Sequence, residues 1–151
     1  MRAINKIIIH CSATKEGNNV TASTIDQWHK DRGWRGIGYH YVVALDGTIE
    51  YGRSIYETGA HVKNHNEGSI GICYIGGLGS SMKPQDTRTP EQKESLLLLL
   101  KTLKKMHPEA TIHGHNEFSA KACPCFNAKD CLLYTSPSPR DLSTSRMPSS
   151  A

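Results

Sequence analysis

The sequence predicts a single α/β domain in which a central mixed β-sheet is flanked by α-helices. Apolar runs rich in β-branched residues, typical of buried strands, occur at residues 6–12 and 69–75. Amphipathic segments with N-terminal capping residues alternate with these runs, which favours the α/β class. A chain of 151 residues is long enough to bury one hydrophobic core.

Composition excludes several classes of protein. The net charge of +4 is mild and spread along the chain, so direct nucleic-acid binding is not expected. The apolar run at residues 7–9 is too short for a signal-peptide core or a membrane span, so we expect the protein to stay in the cytoplasm where it is made. The five cysteines form no paired framework, and Cys11 and Cys73 lie in apolar runs that predict core positions.

Two elements are predicted in the first third of the chain. The strand at residues 6–12 ends near His10, which residue type alone leaves open as a hydrogen-bonded core histidine or a metal ligand. Thr21 predicts the N-cap of a helix over residues 22–31. The expected inward face of this helix carries Ile25, Trp28 and Arg32, and Trp28 is interpreted mainly as a packing residue.

A β-hairpin is predicted from two strand-like runs, residues 39–45 and 48–51, joined by an Asp-Gly pair that suits a turn with positive φ. Strand alternation puts Tyr39 and His40 on opposite faces, so the two side chains are not expected to act on one surface. His40 is interpreted as a partly buried structural residue.

After the hairpin, the sequence predicts a polar loop at residues 59–66, a strand at 69–75 and a flexible connection rich in Gly and Ser at 76–85. Thr89, followed by proline and glutamine, has the pattern of a capping box and predicts a helix. The leucine-rich helix should lie against the sheet and end before a His-Pro pair. A strand at residues 111–115 follows it.

Metal-binding residue types are concentrated just after this last strand. His113, His115, Lys121 and Cys123 lie within eleven residues of one another, on a segment whose glycine and proline indicate a loop. Catalytic zinc sites use three protein ligands drawn from His, Cys and carboxylates. A third ligand must come from elsewhere, and His10 is a candidate; an ordinary surface loop is the alternative interpretation.

The segment from His115 to Cys123 resembles the zinc amidases of the type 2 amidase family, which includes phage lysozymes and the peptidoglycan recognition proteins. The resemblance rests on the His115 to Cys123 spacing, on Lys121 two residues before the cysteine, and on the Ala-Cys-Pro sequence. It extends in order over about residues 6–130 and so implies a peptidoglycan recognition protein-like fold. Further matching segments are Ile9-His10-Cys11-Ser12-Ala13-Thr14, Gln27-Trp28-His29-Lys30, Gly38-Tyr39-His40, Asp46-Gly47-Thr48 and Ser69-Ile70-Gly71-Ile72-Cys73.

The resemblance implies an N-acetylmuramoyl-L-alanine amidase whose zinc ion is held by His10, His115 and Cys123. It places Tyr39 and Lys121 at the open coordination position. The implied reaction is hydrolysis of the amide between N-acetylmuramic acid and the L-alanine of the peptidoglycan stem. A rival sulfur ligand, Cys125, matches a position that holds serine in the resembling phage lysozyme. Glu117 matches a supporting position and receives no catalytic role.

The resemblance also implies partners. The loop at residues 59–66 borders the substrate groove in the family, so His61 and Asn66 are candidates to contact the peptide stem, with a solvated loop as the alternative. A phage endolysin is expected to be a monomer in the host cytoplasm that reaches the wall after membrane permeabilisation. Two other functions are considered: a non-catalytic peptidoglycan-binding module, whose members typically lack the cysteine ligand, and a regulator that inhibits a phage RNA polymerase.

The sequence of residues 131–151 indicates that this segment does not share the origin of residues 1–130. Residues 131–141 are a mismatch-free translation of a common transposase-based sequencing adapter, and residues 145–151 continue in frame with its next segment after an index. Residues 1–130 are therefore expected to form the zinc amidase domain and residues 131–151 a disordered translated tail. A terminal helix beginning near Asn127 is expected to be cut short.

Overall fold

The protein is described by a computed structural model over residues 3–128, in which strands and helices alternate as the sequence predicts. The elements in chain order are β1 Lys6–Cys11, β2 Thr14–Lys15, α1 Ala22–Asp31, β3 Tyr41–Val43, β4 Ile49–Tyr51, β5 Ser69–Tyr74, β6 Gly77–Leu78, α2 Pro90–Met106, β7 Thr111–Gly114 and a 3-10 helix His115–Glu117. The predicted tail and the continuation of the expected terminal helix lie outside these residues.

The central sheet has five strands in the order β4-β3-β5-β1-β7. Strand β1 lies parallel to both β5 and β7, β3 lies parallel to β5, and only β4 runs antiparallel, against β3. The predicted mixed sheet and α/β class are confirmed. Because β1 and β7 are parallel neighbours, their carboxyl ends meet at one edge of the sheet.

The two helices cover opposite faces of the sheet. Leucines of α2, among them Leu100, pack with Ile9 and Tyr74 on one face. Ile25 of α1 packs in a second cluster with Cys73 and other buried residues. Because side chains alternate along a strand, His10 points to the face opposite Ile9, which is the face covered by α1.

The start of α2 is the element that the sequence predicts most completely. The Thr89 hydroxyl accepts from the Gln92 backbone N–H, and the Gln92 side chain accepts from the Thr89 N–H, as a capping box requires. Gln92 is fully buried, and its amide also donates to the carbonyls of Val43 and Ile75. The cap therefore fixes the helix to the ends of β3 and β5.

The predicted inward face of α1 is right for Ile25 and wrong for Trp28 and Arg32. Its buried residues are Ile25 and His29, whereas Trp28 is 40% exposed and Arg32 is an exposed C-cap. Residues four apart lie on one helix face, and Trp28 is rotated away from that stripe. The buried His29 is satisfied because its Nδ1 accepts from the Gly38 N–H.

Two other predictions need correction. Strand β3 begins at Tyr41, so Tyr39 and His40 precede it, although the His40 N–H still bonds the Gly71 carbonyl of β5. The predicted connection at residues 76–85 contains β6, which pairs with β2 in a separate two-stranded parallel sheet. Among the described residues, no helix has the length and apolar character needed to cross a membrane.

Candidate metal centre and active site

Two histidines meet at the carboxyl edge shared by β1 and β7. In the parallel register Ile9 pairs with Gly114, so the next residues, His10 and His115, lie side by side. Their ring centroids are 4.7 Å apart, and His10 is only 1% exposed. Burial lowers the pKa of both imidazoles, which favours the neutral rings that a metal needs.

Cys123 reaches this edge from the loop that follows β7. Its Sγ accepts a 3.0 Å hydrogen bond from the Cys11 backbone N–H. The Tyr74 hydroxyl, from the opposite face, donates to the Pro124 carbonyl over 2.7 Å and holds the loop against the sheet. A Cβ at position 114 would lie 2.8 Å from Pro124 Cδ, so the glycine there allows the loop to approach β7 closely.

The structure brings His10, His115 and Cys123 together as a group that can hold a metal ion. Their ligand atoms all lie within 4.8 Å of one another. Tetrahedral ligands about 2.0–2.3 Å from an ion are separated by roughly 3.3–3.8 Å, so small side-chain rotations bring the three into range. Cys125 is not in the group: its Sγ donates to the Gly77 carbonyl at 3.3 Å, and burial raises its pKa to about 11.

The other histidine of the predicted segment, His113, is not part of the metal group. Its Nδ1 lies 2.8 Å from Glu117 Oε1, and its Nε2 lies 2.6 Å from Thr111 Oγ1. The second carboxylate oxygen of Glu117 accepts from the Gly114 N–H. Glu117 thus braces the turn that presents His115, consistent with a supporting role.

Tyr39 and Lys121 lie around the same group. The Tyr39 ring centroid is 5.1 Å from that of His10 and 5.6 Å from that of His29. Burial raises the pKa of the Tyr39 hydroxyl, which therefore keeps its proton and can donate a hydrogen bond. Lys121 is exposed, and its positive charge adds to the effect of burial in lowering the pKa of His10 and His115.

The structure gives His61 and Asn66 contacts within the protein. The Asn66 side-chain oxygen accepts from the backbone N–H groups of His61 and Val62, each over 2.8 Å. The His61 ring is buried and lies 2.9 Å from the ring of His10. Contact of His61 and Asn66 with the peptide stem stays a prediction.

Sequence reasoning missed His29 and the pairing of His61 with His10. His29 lies four residues after the buried Ile25, on the same helix face, and its ring centroid lies 5.6 Å from that of Tyr39; Trp28 and Arg32 have the same spacing, so it does not single out His29. His40 has the structural role assigned to it, since its Nδ1 accepts from the Gly71 N–H and its Nε2 donates to the Glu57 carbonyl. No local pattern connects His61 to His10, which lies 51 residues earlier.

Comparisons with known proteins agree with this geometry. The model of the N-acetylmuramoyl-L-alanine amidase family matches residues 1–126. The endolysin of Escherichia phage T7 is 44% identical to this chain over 123 residues, which cover 82% of each chain. The endolysin of Klebsiella phage KP32 is 41% identical over 125 residues, which cover 83% of each chain. Among solved structures, the N-acetylmuramoyl-L-alanine amidase LysC of Clostridium intestinale superposes with a TM-score of 0.76 at 29% identity, covering 91% of this chain and 88% of that one.

The chain therefore belongs to the N-acetylmuramoyl-L-alanine amidase family. Its activity is that of an N-acetylmuramoyl-L-alanine amidase, and its substrate is peptidoglycan. The peptidoglycan recognition protein SA of the bumblebee shares the fold at 23% identity, with a TM-score of 0.72 and coverage of 89% of this chain and 83% of that one.

Proposed function

We propose that the protein is a zinc-dependent phage endolysin. It hydrolyses the amide between N-acetylmuramic acid and L-alanine in the host cell wall. The observation that carries this proposal is the convergence of His10, His115 and Cys123 within 4.8 Å, with the Tyr39 ring beside His10 and the charge of Lys121 acting on both histidines. The phage relatives are named endolysins, which supports a role in lysis of the host.

The donor set fits zinc better than it fits magnesium or calcium. Two imidazoles and one thiolate are the soft and borderline ligands that zinc takes, whereas magnesium and calcium prefer oxygen. Three protein ligands leave the fourth tetrahedral position open, as a catalytic site needs. A bound zinc ion supplies Lewis-acid polarisation of the scissile carbonyl and a water of lowered pKa.

The remaining chemistry is assigned to this chain's own side chains. Hydrolysis places negative charge on the former carbonyl oxygen of the amide, and the ammonium of Lys121 stabilises that charge. The protonated hydroxyl of Tyr39 donates a hydrogen bond to the same oxygen or orients the attacking water. Both groups act on the substrate, so neither is needed to hold the metal.

The alternative of a peptidoglycan-binding module without catalysis is not favoured. Such relatives typically lack the cysteine ligand, and here Cys123 is present with its sulfur within 4.8 Å of a ring nitrogen of His10 and of His115. Inhibition of a phage RNA polymerase and a monomeric state stay predictions. Copurification with a single-subunit polymerase tests the first, and sedimentation analysis tests the second.

Metal analysis combined with a murein assay tests the proposal. The purified protein should contain about one zinc ion per chain and should solubilise purified murein. Removal of the metal by a chelator should abolish the release, and added zinc should restore it. A metal-stripped protein that keeps full activity would contradict the proposed zinc dependence.

A further inference from the structure

His61 is a buried side-chain partner of the metal ligand His10, and the proposed mechanism does not use it. It is 9% exposed, and its Nδ1 lies 2.9 Å from His10 Nε2. The two rings meet edge to face, at 89° with centroids 4.9 Å apart. In this geometry one ring nitrogen of His10 is committed to His61, and the other is left for the metal.

The direction of this hydrogen bond follows from the neighbouring groups. The Ser69 hydroxyl donates to the Asn66 carbonyl over 3.0 Å, so the Ser69 oxygen faces His61 Nε2 as an acceptor, at 3.3 Å. His61 Nε2 therefore carries the proton of the neutral ring, and Nδ1 is its acceptor. The proton between His61 and His10 then belongs to His10 Nε2.

We infer that His61 is a positioning residue that holds His10 in the tautomer with its proton on Nε2, so that Nδ1 presents its lone pair to the metal. The inference rests on the proposed zinc site. Zinc-binding histidines commonly donate their second ring N–H to a fixed partner, which sets both the tautomer and the ring orientation. His61 supplies that partner through its Nδ1 atom.

The protein is built to hold the His61 ring in this place. On the side of β5 that faces the site, a Cβ at Gly71 would lie 2.6 Å from His61 Cδ2. From the loop, a Cβ at Gly59 would lie 2.7 Å from the same atom. The backbone N–H of His61 is fixed by Asn66 Oδ1 at 2.8 Å. Two glycines and one amide therefore determine where the ring lies.

If His61 positions His10, its loss should weaken metal binding. A residue that only contacts the substrate would have no such effect. Loss of the outer partner of a ligating histidine typically weakens metal binding about 10- to 100-fold. A residue that only contacts the peptide stem would change KM for murein and leave zinc affinity unchanged. Zinc affinity, measured by competition with a chromophoric chelator, therefore separates the two roles.

The variants are His61→Leu, which removes the acceptor, and His61→Asn, whose amide oxygen can still accept from His10 Nε2. The matched control is His65→Leu, in the same loop, because His65 stacks on Phe118 at 4.4 Å. We expect His61→Leu to weaken zinc binding about 10- to 100-fold, His61→Asn to recover most of the loss, and His65→Leu to bind as the wild type does. Equal zinc affinity in His61→Leu and the wild type overturns the inference.

Nitrogen NMR of the metal-free wild-type protein tests the tautomer without any substitution. Long-range proton–nitrogen correlations should place the His10 proton on Nε2, and the opposite tautomer overturns the inference. The tautomer of His10 therefore tests the inference even if the His61→Leu protein does not fold. A wild-type protein that binds no zinc but shows the expected tautomer would refute the proposed zinc dependence and leave the positioning of His10 by His61 supported.

Discussion

The Cys11 backbone N–H donates to the Cys123 sulfur over 3.0 Å, joining two segments that are 112 residues apart in the sequence. The same sulfur lies 3.8 Å from the Cys11 carbonyl, so both backbone groups of Cys11 contact it at the end of β1. The Cys125 sulfur instead donates to the Gly77 carbonyl. The two cysteines are separated by one residue, and of the two only Cys123 lies with His10 and His115.

The cysteine pair gives a matched comparison. We expect Cys123→Ser to lose both bound zinc and murein hydrolysis, because a neutral hydroxyl is a poor substitute for thiolate on this ion. Cys125→Ser is the control and should keep both. Zinc content and turbidity loss of a murein suspension are the measurements. Loss of metal in Cys125→Ser with metal retained in Cys123→Ser would show that the ligand assignment is wrong.

Lys121→Ala and Tyr39→Phe should separate catalysis from metal binding. Each removes a group proposed to act on the substrate oxygen, so turnover should fall about 100-fold or more while zinc content stays near that of the wild type. Parallel zinc analysis and initial rates on murein check the expectation. If both variants lost zinc in proportion to activity, the division between ligands and substrate-stabilising groups would have to be abandoned.

The metal-free protein should become less stable as the pH falls below about 6.5. Burial lowers the pKa of His10, His29 and His115 from the ordinary value of 6.5. Between that value and the lowered pKa, the unfolded chain binds more protons, so the free energy of unfolding decreases by up to about 1.4 kcal/mol per pH unit for each group. Urea unfolding between about pH 5.5 and pH 7.5 measures this; a flat profile contradicts it.

We propose that residues 131–151 are translated adapter sequence that was not selected together with the amidase domain. Truncation after residue 130 should then leave zinc content, murein hydrolysis and the melting temperature unchanged. Side-by-side melting of the 151-residue chain and the truncated chain is the measurement. A much lower melting temperature for the truncation would show that the tail contributes to the fold.

The fold class and the helix starts follow from local patterns in the sequence. Thr89 and Gln92 lie three residues apart, and the capping box they form depends only on that spacing. The inward face of α1 does not follow from such patterns, because Trp28 has the larger apolar surface and is still 40% exposed, whereas Ile25 and His29 are buried. Size and polarity alone do not show which stripe of a short helix is covered.

Local sequence patterns likewise predict one part of the candidate site and not another. The segment from His115 to Cys123 is short, and its His and Cys content alone predicts a metal site. The resemblance to a known family adds His10 as a ligand and Tyr39 as a catalytic residue. The hydrogen bond between His61 and His10 depends on the register of β1 with β5 and on the absence of side chains at Gly59 and Gly71. Such a contact is set by tertiary packing, and no spacing in the chain encodes it.

The most direct test of the zinc amidase account is the identity of the chain ends released from purified peptidoglycan by the zinc-loaded protein. Cleavage at the proposed bond should expose L-alanine amino termini in step with murein release, with no new reducing sugar ends. The Cys123→Ser protein should release neither. New reducing ends, amino termini from within the stem peptide, or equal release by the metal-stripped protein would contradict the account.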